Sequence, residues 1–205
     1  MGEVCCLCLE SCVAWLNSSR WALDSGADGV VVPMVQSKEE AERVVRYAKY
    51  PPVGQRSFGP FNAAWSDPEA DKSLPKYFTR ARREGQIAVI VMIESKDGIK
   101  NAEDILSVKG VDGCFVGPVD MRLSLGLNGA DGDEKEYLDA LEKVVSLSKQ
   151  HDLVSGIFSA GPEALKKHVA IGFSYSMASS DTGLISAGAK AAIETCRKAV
   201  SAARL

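Results

Sequence analysis

After position 20 the chain repeats one rhythm of hydrophobic and polar positions: a short apolar run, a loop, a longer segment with helical spacing, and a glycine-containing turn. The apolar runs fall at 29–34 (GVVVPM), 88–94 (AVIVMIE), 111–116 (VDGCFV), 154–158 (VSGIF) and 173–178 (FSYSMA). They are continuous rather than alternating, the pattern of strands covered on both faces of a parallel sheet. Helical spacing follows at 38–47, 96–106, 134–150, 162–170 and 184–203. Ser37 with Glu40 makes a capping box at the start of the first, and Pro162 suits the first turn of the fourth. Gly26, Gly85 and Gly172 stand where helices end before the next strand.

Strand and helix alternation without a break in composition predicts one α/β domain, either a (β/α)8 barrel or an open doubly wound sheet. No G-x-G-x-x-G follows the first of these runs, which favours the barrel. The interval 48–86 breaks the rhythm, because Pro51-Pro52-Val53-Gly54, Gly59-Pro60 and Asp67-Pro68 punctuate it too often for one helix. It reads as an excursion from a strand end, which in a barrel lies on the C-terminal face where active sites are built.

Composition then narrows the function. A chain of 205 residues that is 46% hydrophobic can bury a sizeable core. A net charge of −3, with lysines and arginines scattered, leaves no footprint for nucleic acid or an anionic membrane, so small-molecule chemistry is expected. The apolar stretch 4–16 is interrupted by Glu10 and is shorter than the roughly 20 residues a membrane span needs. It also lacks the basic flank and small-residue cleavage site of a signal peptide. Cys5, Cys6, Cys8 and Cys12 crowd the first twelve residues, but no histidine is near and neighbouring cysteines on one strand cannot wrap a tetrahedral zinc. Reduced thiols, and a cytoplasmic location, are the expectation.

Two apolar runs lead to an acid: 88–93 runs into Glu94, and 111–116 runs through Gly117-Pro118-Val119 into Asp120. Consecutive parallel strands would bring both carboxylates to the C-terminal rim, where two can share a hard divalent cation such as Mg²⁺ or Mn²⁺, with Co²⁺ and Zn²⁺ as alternatives. Glycine before the turn lets backbone approach a ligand closely, and proline ends the ladder. Either acid could instead cap the helix that follows it.

The stretches ALDSGADGVVVPMVQSKEEAERVVRYAKYPPVGQRSFGP (22–60), VMIESKDGIKNAEDILSVKGVDGCFVGPVDMRLSLGL (91–127) and SGIFSAGPEALKKHVAIGFSYSMASSDTGL (155–184) resemble the HpcH/HpaI aldolases. These are class II, metal-dependent aldolases of the phosphoenolpyruvate/pyruvate barrel superfamily, which act on 2-oxo-4-hydroxy acids. The resemblance implies a (β/α)8 TIM barrel, usually assembled into trimers or hexamers. It implies Glu94 and Asp120 as metal ligands. The GPxD turn, here Gly117, Val119 and Asp120, would bind the carboxylate of a 2-oxo acid such as pyruvate. Carbon–carbon cleavage or formation would pass through a metal-stabilised pyruvate enolate.

The resemblance also implies two groups this sequence does not supply. They are a base histidine on the loop after the second strand and a substrate arginine in a PVVRxP stretch, both upstream of LDSGA. The expected architecture is therefore an incomplete barrel in which strands four to eight are recognisable and the first three βα units are missing. Residues 1–20 read as an atypical N-terminal segment and 21–205 as the partial aldolase barrel domain. The N-terminal run 4–9 could supply one added strand to cover an edge. No catalytic residue is identified: His151 and His168 are expected as solvated or locally paired surface histidines away from the rim. Arg56, in YPPVGQR, is a candidate for bracing the loop, for a subunit contact or for substrate, and Arg122 is given no family role. Met92 stands where many relatives carry a glutamine that touches the bound acid. Two function classes follow, a carbon–carbon lyase or a non-catalytic partner or truncated isoform that binds metal and co-assembles with longer relatives. A citrate-lyase-type activity on acyl-CoA thioesters finds no basic patch to support it.

Overall fold

The computed structural model of the protein describes the backbone at 6–8 and 15–18 and the whole residues 19–83 and 85–202. Its strands are β1 (Cys6–Cys8), β2 (Gly29–Val32), β3 (Ala88–Met92), β4 (Gly113–Val116), β5 (Val154–Phe158) and β6 (Tyr175–Met177). They form one parallel sheet in chain order, β1 to β6, and among the described residues no pairing joins β6 back to β1. This is the TIM-barrel kind of α/β architecture, incomplete as expected. Five of the strands are those the apolar runs announce. The sixth, β1, comes from the cysteine-rich start and pairs Cys6 with Gly29 and Cys8 with Val31, covering the free edge of β2. Side chains of Cys5, Cys6, Cys8 and Cys12 lie outside the described residues.

The helices are α1 (Trp15–Asp24), α2 (Lys38–Ala48), α3 (Ala63–Ser66), α4 (Leu74–Ala81), α5 (Lys96–Lys100), α6 (Ala102–Leu106), α7 (Pro118–Leu125), α8 (Lys135–Gln150), α9 (Pro162–Ile171) and α10 (Asp181–Ala202). Alternate strand residues serve two cores. Val30, Val32, Val89, Val91, Cys114, Val116 and Ile157 join one cluster with helical residues such as Leu23, Val44, Ile105, Leu141 and Val144. Ile90, Met92 and Phe115, flanked by Val31 and Phe158, form a second, smaller cluster, so both faces of the sheet are apolar. In β5, beside β6, a Cβ at Gly156 would lie 2.1 Å from the Tyr175 ring, so any side chain there would displace that ring.

Several boundaries differ from the sequence expectation. The run at 29–34 stops pairing at Val32 because Met34 turns into the left-handed region, φ 57. The helix expected at 96–106 breaks at Asn101, whose side-chain amide donates to the Gln36 carbonyl at 2.7 Å. Helix α7 was not anticipated, although Pro118 at its start and left-handed Gly126 at its end are ordinary boundary signals. Ser37 caps α2 by accepting from the Glu40 N–H, while the Glu40 carboxylate reaches back to the Gln36 N–H at 2.7 Å. Among the described residues no helix is long and apolar enough to cross a membrane.

The interval 48–86 requires a larger correction. It follows α2 and precedes β3, so it is a helix-to-strand connection and packs at the N-terminal ends of the strands, away from the face where Glu94 emerges. Its anchors name that end. Lys49 Nζ donates to the Ile87 carbonyl and, at 2.7 Å, to Asp112, immediately before β3 and β4 respectively. Arg80 pairs with Asp67 and, at 3.3 Å, with Asp28 immediately before β2. Asp112 also accepts the Val89 N–H at 2.7 Å, so one carboxylate joins two strands and the connection. Replacing it, Asp112→Ala, leaves both donors without that partner in a largely enclosed site. We expect a loss of roughly 2 kcal/mol in urea-unfolding free energy, with no change in divalent-cation affinity.

Candidate functional site

The pairing of β3 with β4 continues one residue past the strands, since the Ile93 N–H donates to the Phe115 carbonyl at 3.0 Å. The next residue is Glu94, buried at 2% exposure. Beside it, the Val35 N–H returns β2's chain to the Met92 carbonyl at 3.2 Å. The left-handed turn at Met34 aims its N–H at Glu94 Oε1, 3.0 Å away. Sequence reading gave Met34 no role, and a non-glycine residue at positive φ is a strain that surrounding structure must hold in place.

Glu94 Oε2 is buried and has no hydrogen-bond partner among the described residues. It faces Gly117, where a Cβ would sit 2.1 Å from that oxygen. Gly117 is also the residue that opens α7, with Pro118 in the first position and Asp120 in the first turn. The first N–H groups of a helix have no partner within it, so those of Val119 and Asp120 are available to an anion. Neither acid caps its following helix: Ser95 caps α5 through the Gly98 N–H at 3.0 Å, and α7 has no side-chain cap bond.

Electrostatics ties the two acids together. Burial raises the Glu94 carboxyl from its ordinary 4.5 to about 7; the Met34 N–H opposes this and the charge of Asp120 adds to it. Asp120 itself is exposed, as is Val119. A buried, unpaired carboxylate oxygen within electrostatic reach of a second carboxylate, over a glycine and a helix start, fits a divalent oxygen-seeking cation. Glu94 and Asp120 could hold it, with water or substrate oxygens completing the shell. Among the described residues there is no group of three or more metal-binding side chains, so such a site would be open rather than closed.

The remaining candidates lie elsewhere. Arg56 is buried at the N-terminal end, where it donates to Asp24 at 2.7 Å and to the Tyr77 hydroxyl at 3.3 Å and lies 4.6 Å from the Tyr50 ring centroid. The structure does not bring it to the Glu94 rim, contrary to the placement expected from sequence. Arg122 is likewise internal: it binds Glu134 at 2.6 and 2.9 Å and the Asn128 carbonyl at 2.7 Å, pinning the loop between α7 and α8. The guanidinium holds the Glu134 carboxyl down at about 2. His151 pairs with Glu103 at 2.9 Å. His168 is not a solvated surface residue; it is 1% exposed and its Nδ1 lies 2.8 Å from Ser159 Oγ, just past β5. Met92 belongs to the apolar cluster next to Gly117.

A parallel α/β sheet whose strand ends carry a carboxylate pair beside a helix start is the frame of barrel enzymes that use oxygen-ligated cations. The model of the HpcH/HpaI aldolase/citrate lyase family matches residues 10–187, and the chain belongs to that family. It is 34% identical over 169 residues to 4-hydroxy-2-oxo-heptane-1,7-dioate aldolase of Klebsiella pneumoniae, covering 82% of this chain and 62% of that protein. The chain thus spans less than two thirds of that relative's length. Among solved structures it superposes on a HpcH/HpaI aldolase/citrate lyase family protein from Burkholderia cenocepacia with a TM-score of 0.77 and 28% identity, over 94% of this chain and 73% of that one. A HpcH/HpaI aldolase from Desulfitobacterium hafniense gives a TM-score of 0.75 at 25% identity, over 94% and 71%.

Two outcomes follow from the geometry. The folded protein holds the Glu94 proton more tightly than the unfolded chain, so the stability tied to neutral Glu94 is complete below about pH 4.5 and is lost as the pH rises through about 7. Glu94→Gln keeps the acceptor for the Met34 N–H and cannot ionise. In metal-free protein it should match wild type near pH 4.5 and exceed it by up to about 3 kcal/mol at pH 8 in urea unfolding, whereas parallel pH curves would refute the burial argument. Gly117→Ala should displace the Glu94 carboxylate and weaken Mn²⁺ binding, followed by electron paramagnetic resonance, by roughly tenfold or more.

Proposed function

We propose that the chain is a carbon–carbon lyase of the aldolase type that cleaves or forms 2-oxo-4-hydroxy acids, acting in the cytoplasm. The observation that carries this reading is the orphaned Glu94 Oε2, buried over Gly117 and within electrostatic reach of Asp120. Glu94 and Asp120 would hold Mg²⁺ or Mn²⁺, which when bound would supply Lewis acidity toward a substrate oxygen. The chain's own groups orient the substrate. The N–H groups of Val119 and Asp120 receive its carboxylate at the start of α7, and Met92, Phe115 and Phe158 supply the apolar floor that excludes water. On this reading residues 21–205 are the partial aldolase barrel domain, and the segment 1–20 lends its edge a strand.

A second reading, that of a non-catalytic partner that binds metal and co-assembles with longer relatives, is favoured by a separate observation. Neither histidine is in a position to serve as the base: one pairs with Glu103 and the other is enclosed against Ser159. Helix α10 has no buried residue and exposes Leu184, Ile185, Ile193 and Val200, which supports assembly into a homo-oligomer. Pyruvate release from a 2-oxo-4-hydroxy acid, measured with Mg²⁺ or Mn²⁺ on the purified chain, separates the two. Turnover that disappears with Glu94→Ala and on metal removal establishes the lyase. Metal binding without turnover, restored on mixing with a longer relative, establishes the partner.

A further inference from the structure

At the N-terminal ends of the strands lies a second concavity, a cavity of about 340 Å³ enclosed by the 49–53 loop, the end of α4 and the 109–112 turn. Among the described residues four cations line it, Lys49, Arg82, Arg83 and Lys109, against one carboxylate, Asp112. That carboxylate is already engaged by Lys49 Nζ and the Val89 N–H, each at 2.7 Å. Three positive charges are left over. Arg82 is held in place with its guanidinium 5.2 Å from the Phe78 ring centroid and one N–H on the Pro51 carbonyl at 3.3 Å. The side chains of Arg83 and Lys109 have no hydrogen-bond or ion-pair partner among the described residues.

Two of the walls are held by contacts within the chain. Gly110 stands at φ +101, tight against Val45, and sets the turn that carries Lys109. Lys49 ties the loop to the sheet. Gathering like charges in a cleft, on a chain whose net charge is −3, costs free energy that a bound anion offsets, and low-dielectric walls focus the field there. A monocarboxylate would leave two charges unmatched. A phosphate ester or diphosphate carries two or more negative charges at neutral pH, with several acceptor oxygens suited to guanidinium forks. Pro52 and the 48%-exposed Val53 add an apolar ledge for the body of an esterified ligand.

We propose that this cleft is a binding site for a phosphate-bearing small molecule, separate from the carboxylate site. The two are at opposite ends of β3, whose run from 87 to 94 spans roughly 23 Å at about 3.3 Å per residue. The cations come from three segments far apart in sequence, which is why no basic cluster is visible along the chain. The site does not depend on the lyase reading.

The test is calorimetric titration of the metal-free full chain with inorganic pyrophosphate, at ionic strength held constant with sodium chloride. Saturable binding of one equivalent is expected. The double variant Arg83→Ala/Lys109→Ala replaces two exposed side chains and should weaken binding by roughly tenfold or more, while Glu94→Gln leaves it unchanged. Adenosine diphosphate is the second probe: tighter binding than pyrophosphate assigns the ligand to an ester resting on the Pro52–Val53 ledge, and equal or weaker binding assigns it to free polyphosphate. Absence of saturable pyrophosphate binding, undiminished affinity in the double variant, or loss of affinity in Glu94→Gln would each overturn the proposal.

Discussion

Burying the Glu94 carboxylate at the end of the central strand is the constraint around which the rim is arranged. A charge removed from water is stable only where hydrogen bonds or an opposite charge replace its hydration. Here one oxygen is met by the Met34 N–H and the other has no protein partner. That supply requires β2, β3 and β4 to be parallel and in register. It also requires a left-handed turn at Met34, and no side chain at Gly117. Each is a feature that the sheet alone would not demand. Together they hold one carboxylate in a poorly solvated place next to the start of α7, which is the arrangement a cation would complete.

The two ends of the sheet divide their tasks. At the C-terminal end lie the unpaired carboxylate oxygen and the free N–H groups of a helix start. At the N-terminal end the charges are mostly matched: Lys49 with Asp112, Arg80 with Asp67 and Asp28, and Arg56 with Asp24. These pairs fasten a long, proline-punctuated connection whose own helices are short, and they sit where the connection meets the first residues of three strands. Interactions there stabilise the fold, while the opposite rim is left with unmet bonding capacity, the division common to parallel barrels. The surplus of positive charge beside Lys109 is the exception to that balance.

The sheet itself is left open. Strands β1 and β6 have no partner on their outer sides among the described residues, and α10 runs on without burying any residue. An open parallel sheet exposes unpaired N–H and C=O groups at its edges and part of its inner face.

The sequence by itself determined the strands β2 to β6 and the helices α2, α8, α9 and α10, because continuous apolar runs, helical spacing, Ser37 and the glycines at 26, 85 and 172 are local signals acting over a few residues. It also determined that Glu94 and Asp120 follow the ends of neighbouring strands, since parallel order follows from the alternation. The place of residues 48–86, after a helix and before a strand, already assigns them to the N-terminal ends of the strands, where contacts with Asp28, Ile87 and Asp112 hold them. Only the tertiary structure decided that Arg56 is internal, that His168 is enclosed against Ser159, and that Met34 turns to meet Glu94. Those outcomes depend on partners 9 to 60 residues away, and no periodicity of hydrophobic and polar positions encodes such pairings.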